Sequence, residues 1–316
     1  MAARYSARCS LPDCPAGIQS KIIREWLIYA AAGAYQMIGN CSAVRNKEEP
    51  MILAIDTGNT HTVIGCIDSD GQIVHIMRME SNHYKTEHEY AANMKLILEL
   101  NGVNLRRIEG AVISSVVPPL TIVLKKAVKI ITGVDALVVG AGIKTGLPIM
   151  IDDPGTIAAD LVATAVAAKE YYPLPCIIID MGTATTVTVV DRNGRYIGGA
   201  ILPGVGLSMD ALTKGTSLLP KIEIVPPNKV IATNTVECMK AGIIFGAAGA
   251  IDGVLDRFTD SLQATGDEEW SIVATGGLAG TICPCCRHNI TLDENLLLKG
   301  LLIIWEKNRG NRRKTR

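Results

Sequence analysis

The sequence predicts an α/β fold in which one unit, three strands followed by helices, is built twice. The first observation is a repeat at residues 52–67 and 176–190: a buried strand ending in aspartate, a glycine turn rich in hydroxyl groups, and a return strand. Each copy is followed by segments of helical periodicity, which indicates a mixed α/β architecture. The 316 residues, 48% of them hydrophobic and 20% charged, suffice to bury two cores.

The first copy divides into short apolar runs, which predict strands, and longer runs with helical spacing, which predict helices. Ser69-Asp70-Gly71 is a hairpin signal, and Pro118-Pro119 ends the fourth strand. The predicted strands are 52–55, 62–67, 72–77, 110–117 and 136–139, and the predicted helices are 88–101, 120–131 and 156–171.

The second copy restarts the same order after residue 172. Three short strands are followed by helices, one more strand and a last helix. The predicted strands are 176–179, 186–190, 196–201 and 270–274, and the predicted helices begin at 208 and cover 235–259 and 292–306.

The chain is therefore divided into four segments. Residues 1–50 carry no strong strand pattern and are interpreted as an N-terminal extension outside the working fold; a targeting peptide is the alternative, because Arg4 and Arg8 precede any acid. Met51 opens the first lobe, 51–172. The second lobe is predicted at 173–308, and a basic tail at 309–316.

Composition excludes several classes of function. The formal net charge is zero, so no basic excess is present to neutralise a nucleic-acid backbone. Aromatic residues make up only 4%, which argues against base-stacking platforms. The apolar segment 26–39 is too short for a bilayer, so no membrane span is predicted. Nine cysteines, several of them single within apolar runs, favour a reducing, cytoplasmic location.

The two hairpins predict a clamp around a polyphosphate. Asp56 and Asp180 end the first strand of each copy, where a carboxylate can hold a cation. Gly58 and Gly182 let the backbone approach a ligand, and the neighbouring hydroxyl and N–H groups can donate to phosphate oxygens. A turn-capping carboxylate is the alternative for each acid, but two such hairpins favour a functional site.

These motifs resemble the superfamily of actin, sugar kinases and heat-shock chaperone ATPases. A third glycine-rich element, Ala274-Thr275-Gly276-Gly277, resembles the nucleotide loop of that superfamily. With residues 198–204 and 296–300, the pattern from 51 to about 308 is similar to type III pantothenate kinases. The resemblance implies two ribonuclease-H-like lobes with a nucleotide cleft between them. It also implies ATP-dependent phosphorylation of pantothenate, the first step of coenzyme A biosynthesis, by a homodimer whose interface helps build the substrate pocket.

The resemblance also implies roles for individual residues. Asp160, in the first turn of a predicted helix, would be the general base; a dipole partner of that helix is the alternative. Asp180 would bind a monovalent cation, K⁺ or NH₄⁺, and Asp56 would bind Mg²⁺ through the ATP phosphates. The implied ATP-binding residues are Asp56, Thr57, Gly58, Asn59, Thr60, His61, Thr62, Val63 and Thr183, and the implied substrate-binding residues are Ala158, Ala159, Asp160, Leu161 and Thr235.

The sequence departs from the family around the predicted base. Ala158 stands where the family has Gly, Leu161 where it has Arg, and Ile151 where an aromatic residue is usual. Loss of the Arg removes a bidentate donor for a carboxylate or phosphate. Two alternatives therefore stay open: an actin-like kinase for another small hydroxylated metabolite, and a non-catalytic nucleotide-binding regulatory relative.

A second cluster, Cys283, Cys285 and Cys286 with His288, has the composition of a metal site. A structural zinc site needs a second ligand pair, and none follows. We interpret this segment as a surface loop before the last helix that tolerates substitution. The sequence contains no Gly-x-x-x-x-Gly-Lys-Ser/Thr element, which argues against a P-loop kinase.

Overall fold

The computed structural model describes residues 49–312. The predicted extension, apart from its last two residues, and the end of the predicted basic tail lie outside the described residues. The described residues contain two five-stranded sheets built with the same strand order. This confirms the predicted fold class, a duplicated α/β fold.

The first sheet has the order β3-β2-β1-β4-β5. The first three strands form an antiparallel meander, and β4 and β5 add to β1 in parallel. Their bounds are β1 Met51–Thr57, β2 His61–Asp68, β3 Ile73–Glu80, β4 Ile108–Ser115 and β5 Leu137–Val138.

The second sheet repeats this arrangement, with the order β10-β9-β6-β7-β8. Here β6, β7 and β8 form the meander, while β9 pairs in parallel with β6 and β10 with β9. Their bounds are β6 Cys176–Met181, β7 Ala184–Val190, β8 Tyr196–Pro203, β9 Ser271–Thr275 and β10 Thr291–Leu292.

Seven helices are described between residues 49 and 312. They are α1 Glu87–Leu100, α2 Pro118–Thr132, α3 Ala159–Tyr171, α4 Val205–Lys214, α5 Thr235–Ala264, α6 Ala279–Ile282 and α7 Leu296–Arg312. The start of α1 carries a capping box, with Thr86 and Glu89 satisfying each other's backbone donors. Gly133 ends α2 in the left-handed conformation that favours glycine.

The predicted elements agree with these in kind and order, but several ends are shifted: α4 begins at Val205 and not at 208, and α7 at Leu296 and not at 292. The third helix begins at Ala159 and not at 156, because Pro154–Thr156 form a 3₁₀ turn capped by Asp153. The strand β10 and the helix α6 were not predicted. They are two and four residues long, so they are too short to show a period.

Two helices lie between the sheets. The helices α3 and α7 pack on each other, and they share one apolar cluster with residues of both sheets, including Ile52 and Ile178. On the outer faces, α1 and α2 cover the first sheet and α5 covers the second. Since α7 contacts β1 and β4, the chain returns at its end to the first sheet. The division into lobes at residue 172 stays a prediction.

The helix α5 departs from the prediction that no segment could span a bilayer. By length and composition alone this thirty-residue helix could do so. Its apolar face, however, packs on the second sheet through Ile244, Ile251 and Leu255. A buried carboxylate, Asp252, accepts hydrogen bonds from the backbone N–H of Arg287. We interpret α5 as a core helix on these contacts.

The cysteine cluster is also packed more tightly than predicted. Cys283 is buried, Cys285 and Cys286 are half-buried, and Cys283–Cys285 form a 3₁₀ turn directly after α6. These residues pack against the apolar cluster under α5, so the interpretation as a tolerant surface loop is wrong. Among the described residues, no three His, Cys, Asp or Glu side chains are placed so that they could bind one metal ion by themselves.

The crossing of α3 and α7 depends on Gly300. A Cβ at Gly300 would overlap the carbonyl oxygen of Ala163, so the two backbones approach more closely than any other residue would allow. This contact lies in the layer between the sheets, where a displaced helix would disturb both cores.

We therefore expect Gly300→Ala to lower the free energy of unfolding by roughly 1–3 kcal/mol, because a backbone oxygen cannot rotate away from the added methyl group. Chemical denaturation monitored by circular dichroism measures the change. Gly310→Ala is the matched control, since it lies in the same helix with no atom within 4 Å of the added Cβ. Equal midpoints for the two variants would contradict the close crossing.

Candidate functional site

The two repeated acids lie at equivalent ends of the two sheets. Asp56 is the penultimate residue of β1 and Asp180 is the penultimate residue of β6. Both strands are central in their sheets and are buried along almost their whole length. The acids therefore sit where a buried strand opens into the turn of its hairpin.

The strand register brings polar side chains beside each acid. Residues directly opposite one another in neighbouring strands project from the same face of a sheet. In the first sheet, one such row consists of Arg78, Val63, Asp56 and Ser114. The equivalent row of the second sheet consists of Ile201, Thr186, Asp180 and Thr275.

The two hairpin turns meet. The hydroxyl oxygens of Thr60 and Thr183 are 3.5 Å apart, so the turns of the first and second copies are in contact. Gly204 lies against the second turn, because a Cβ there would overlap the carbonyl oxygen of Thr183. Gly276, with φ +97°, places the third glycine-rich loop against the backbone of Met181. Three glycine-dependent segments thus converge on one place.

Asp160 enters the same cleft from the first turn of α3. Its carboxylate accepts a hydrogen bond of 2.7 Å from the N–H of Leu161, and no side chain caps the helix at Ala158. The charge of Asp160 raises the pKa of Asp56 and that of Asp180, so the three carboxyl groups lie close enough to interact. The structure therefore brings together the three acids that the sequence analysis singled out.

Burial dominates the electrostatics of this acidic cluster. Desolvation raises the pKa of Asp56 to about 7, and the charges of Asp160 and Asp180 add to this increase. Desolvation and the charge of Asp160 raise the pKa of Asp180 to about 6. The pKa of Asp160 is also raised, mainly by burial, while the N–H of Leu161 opposes the shift. The cluster consequently favours cations or protons at neutral pH.

Three buried hydroxyl groups lack hydrogen-bond partners among the described residues: Ser114 and Thr186 on these rows, and Thr188 two residues further along β7. Ser114 is close enough to Asp56 to lower the pKa of that carboxyl, although no hydrogen bond of ordinary length joins them. Orphaned hydroxyl oxygens beside carboxylates provide the oxygen ligands that Mg²⁺ and K⁺ prefer. The residues of the site therefore fit bound cations.

Ser114 and Thr186 are not among the site residues predicted from the sequence. The available signal for Ser114 was a polar residue at the end of an otherwise apolar strand. That signal gains meaning only when β4 is known to lie beside β1. In the sequence, Thr186 is only the first residue of a predicted strand. Its position opposite Asp180 depends on the register of β6 and β7.

Of the other residues predicted to bind ATP, Gly58 and Val63 are half-buried and the remaining six divide into two groups. Asn59, Thr60, His61 and Thr183 are exposed at the turns, as a ligand contact requires. The side chains of Thr57 and Thr62 are buried instead, and Thr62 hydrogen-bonds with Thr57 and Ser81. These two threonines can therefore offer only backbone groups to a ligand.

A groove extends from the second turn along α4 and α5. It consists of two adjacent cavities of about 190 Å³ and 430 Å³. The smaller reaches Thr185 in the second hairpin and the larger reaches Thr235, and they share Ser208, Gly242 and Ile243. Its walls are mainly apolar, so the groove suits a ligand with an aliphatic portion.

Thr235 is not the cap of its helix. Asn234 is the N-cap of α5, with its side chain accepting from the N–H of Glu237, while Thr235 is the first helical residue and is exposed. The side chain of Thr235 therefore has no capping role. Ala158, Ala159, Leu161 and Ile151 are half-buried around the start of α3.

Known proteins resemble this chain in sequence and in fold. A model of the family described as type III pantothenate kinase matches residues 52–257. The type III pantothenate kinase of Halalkalibacterium halodurans is 42% identical over 258 residues, covering 82% of this chain and 100% of the relative. That of Moorella thermoacetica is 41% identical over 258 residues, with 82% and 100% covered.

Among solved structures, a Baf family protein from Campylobacter jejuni is similar in fold, with a TM-score of 0.51 and 16% identity. The alignment covers 82% of this chain and 99% of that protein. The duplicated sheets and their facing hairpins define the class of fold, in which one α/β unit is used twice. Within this class, the chain belongs to the type III pantothenate kinase family.

The raised pKa of Asp56 predicts a specific pH dependence of stability. The folded protein holds a proton that the unfolded chain releases above pH 4, so the free energy of unfolding falls as the pH rises from about 4 to about 7. Asp56→Asn should remove this pH dependence. Its free energy of unfolding should exceed that of the wild type by an amount that grows with pH and reaches roughly 2–4 kcal/mol at about pH 7.

Denaturation curves in chelator, without added Mg²⁺ or K⁺, measure the difference between the two proteins at each pH. Asp152→Asn, at an exposed site, is the control and should retain the wild-type slope. Parallel pH curves for the wild type and Asp56→Asn would show that burial of this carboxylate is not coupled to folding.

Proposed function

We propose that the protein transfers the γ-phosphoryl group of ATP to the primary hydroxyl of pantothenate, which is the first step of coenzyme A biosynthesis. The observation that carries this proposal is the convergence of Asp56, Asp160 and Asp180 at two facing hairpins. The acceptor and the activity come from the curated family members, whose full length the chain matches. The products would be 4′-phosphopantothenate and ADP.

The hairpin turns would hold the triphosphate. Gly58 and Gly182 keep the turns open to a ligand, and the hydroxyls of Thr60 and Thr183 lie together at their tips. The helix α4 begins at the second turn with no side-chain cap, so its first N–H groups add donors and a positive dipole end. Phosphoryl transfer depends chiefly on such positioning and charge stabilisation.

Asp160 would accept the proton of the attacking hydroxyl. Its raised pKa makes the carboxylate a better base than an exposed aspartate, while the hydrogen bond from Leu161 keeps it oriented. The pantothenate oxygen would form the new P–O bond as the bond to the β-phosphate bridging oxygen breaks. The proton would pass to the Asp160 carboxylate.

Cations would complete the acidic cluster. Asp56, with the unpartnered hydroxyl of Ser114 beside it, would hold Mg²⁺ through the ATP phosphates. Asp180, opposite the unpartnered hydroxyl of Thr186, would hold K⁺ or NH₄⁺. When bound, such ions neutralise charge on the phosphates and the carboxylates.

The groove along α4 and α5 would receive the acceptor, which would reach the base past the end of the second hairpin, because the groove lies on the outer face of the second sheet and Asp180 projects from the other face. Thr235 lines its far cavity and is free of a capping role, which supports a contact with pantothenate. Near the base, the residues Ala158, Ala159 and Leu161 would line the acceptor site. Because Leu161 and Ile151 replace polar and aromatic residues of the family, this part of the site would rely on apolar contact.

We further propose a cytoplasmic homodimer. The exposed side of α5 carries Gly242, Gly246 and Gly249, none of which has an atom near an added Cβ. Exposed apolar side chains, including Leu207, Val230 and Ile231, lie on α4 and on the segment that leads to α5. Such a surface favours a second copy of the chain.

Purified protein with Mg-ATP should release ADP only when pantothenate is added, at a rate that is higher with K⁺ than with Na⁺. The physical reason is that the smaller Na⁺ fits an oxygen cage built for a larger ion poorly. A coupled ADP assay measures both effects. Retained ATP binding without pantothenate-dependent turnover would indicate another hydroxylated acceptor, with Leu161 and Ile151 the first positions to restore.

Asp160→Asn should lower kcat by about 10²–10⁴-fold, because an amide cannot accept the proton. ATP binding and the unfolding midpoint should change little, since the variant keeps the size of the side chain. Steady-state kinetics and nucleotide titration separate the two effects. Unchanged turnover in this variant would refute the assignment of Asp160 as the base.

A further inference from the structure

The side chain of Arg78 is placed on the face of the first sheet that carries the acid of the site. Arg78 lies opposite Val63 in β2, and Val63 lies opposite Asp56 in β1. Two strand spacings separate Arg78 from Asp56, or about 10 Å between backbones. A ligand bound at the first hairpin would therefore lie within reach of the long side chain of Arg78.

Arg78 also reaches the other side of the cleft. A Cβ built on Gly277 would lie 4.0 Å from a guanidinium nitrogen of Arg78, and no other atom lies within that distance. Gly277 belongs to the glycine-rich loop after β9, in the second sheet. The guanidinium group thus spans the gap between the first hairpin and the third glycine-rich loop.

This cation has no partner among the described residues. Arg78 is exposed, and neither an ion pair nor a hydrogen bond of its side chain occurs between residues 49 and 312. Glu80 follows on the same face of β3, yet the two side chains do not pair. An unpaired guanidinium beside an acidic cluster is suited to an anion that the acids alone would repel.

The duplication provides an internal comparison. The position of Arg78 in the first row corresponds to Ile201 in the second row, and Ile201 is 77% exposed. The second sheet therefore forms the same meander with an apolar residue at this place. The fold consequently does not require a cation at residue 78. Binding of a ligand would account for an arginine there.

We propose that Arg78 is a nucleotide-binding residue whose guanidinium group binds the phosphate chain of ATP between the first hairpin and the Gly276–Gly277 loop. This inference rests on the proposed function, because it places the ATP phosphates at these segments. A planar guanidinium can donate two parallel hydrogen bonds to a phosphate, and Arg78 can do so while touching both sheets. It binds substrate and takes no part in proton transfer.

The test is equilibrium binding of ATP, ADP and adenosine to the full chain in Mg²⁺ buffer, by calorimetry or ligand-detected NMR. Arg78→Gln should bind ATP and ADP about 10–100-fold more weakly, because a charge-assisted phosphate contact is lost. Binding of adenosine should be unchanged. Arg78→Lys keeps the charge without the planar fork, so we expect an intermediate loss.

Arg106→Gln is the matched control, since Arg106 is an exposed arginine in the 3₁₀ turn Leu105–Arg107, directly before β4 of the same sheet. It should bind all three ligands as the wild type does. In steady-state kinetics, Arg78→Gln should raise the KM for ATP and leave the KM for pantothenate unchanged.

Equal ATP affinity of Arg78→Gln and wild type would overturn the proposal, and so would an equal loss for ADP and adenosine, which would indicate a contact with the base. Wild-type protein that binds no ATP would overturn both this inference and the proposed function. Wild-type protein that binds ATP without phosphorylating pantothenate would overturn the acceptor alone, and the Arg78 comparison would still decide this inference.

Discussion

The burial of three carboxylates in one cleft is the constraint on which the rest of this structure depends. Asp56 and Asp180 are brought there by two copies of one hairpin, and Asp160 by the helix between the sheets. Desolvation alone would favour the neutral acids, and each charge makes the others harder to ionise. Such a cluster is tolerable in a folded protein when its ligands bring positive charge, as metal-bound phosphates do.

The surroundings of the cluster follow from the same requirement. Buried hydroxyls without partners accompany two of the acids, and glycines let three segments approach the ligand space without side chains. The chain satisfies most other buried polar groups internally, as the bonds of Asp252 and Asp293 illustrate. Unsatisfied polar atoms are concentrated where a ligand would satisfy them.

Much of this arrangement could be predicted from the sequence, because its strongest signals are local. An aspartate, a glycine and hydroxyl residues at the end of an apolar strand are adjacent in the chain, and their repetition predicts the duplicated sheets. Ser114 and Arg78 escaped notice because their meaning depends on register across three strands far apart in sequence. The N-cap of α5 is Asn234 and not Thr235, and the sequence alone does not decide between two neighbouring residues that can both cap a helix.

The close crossing of α3 and α7 also has a mechanical consequence. Because the two backbones approach closely at Gly300, the helices cannot slide past one another at this point without first separating. The helix α7 lies on β1 and β4, while α3 contacts β4 of the first sheet and β6 and β7 of the second, so the joined pair rests on both sheets. A hinge that opened this cleft would therefore have to break contacts of the helical layer that links Asp160 to the strands of both Asp56 and Asp180.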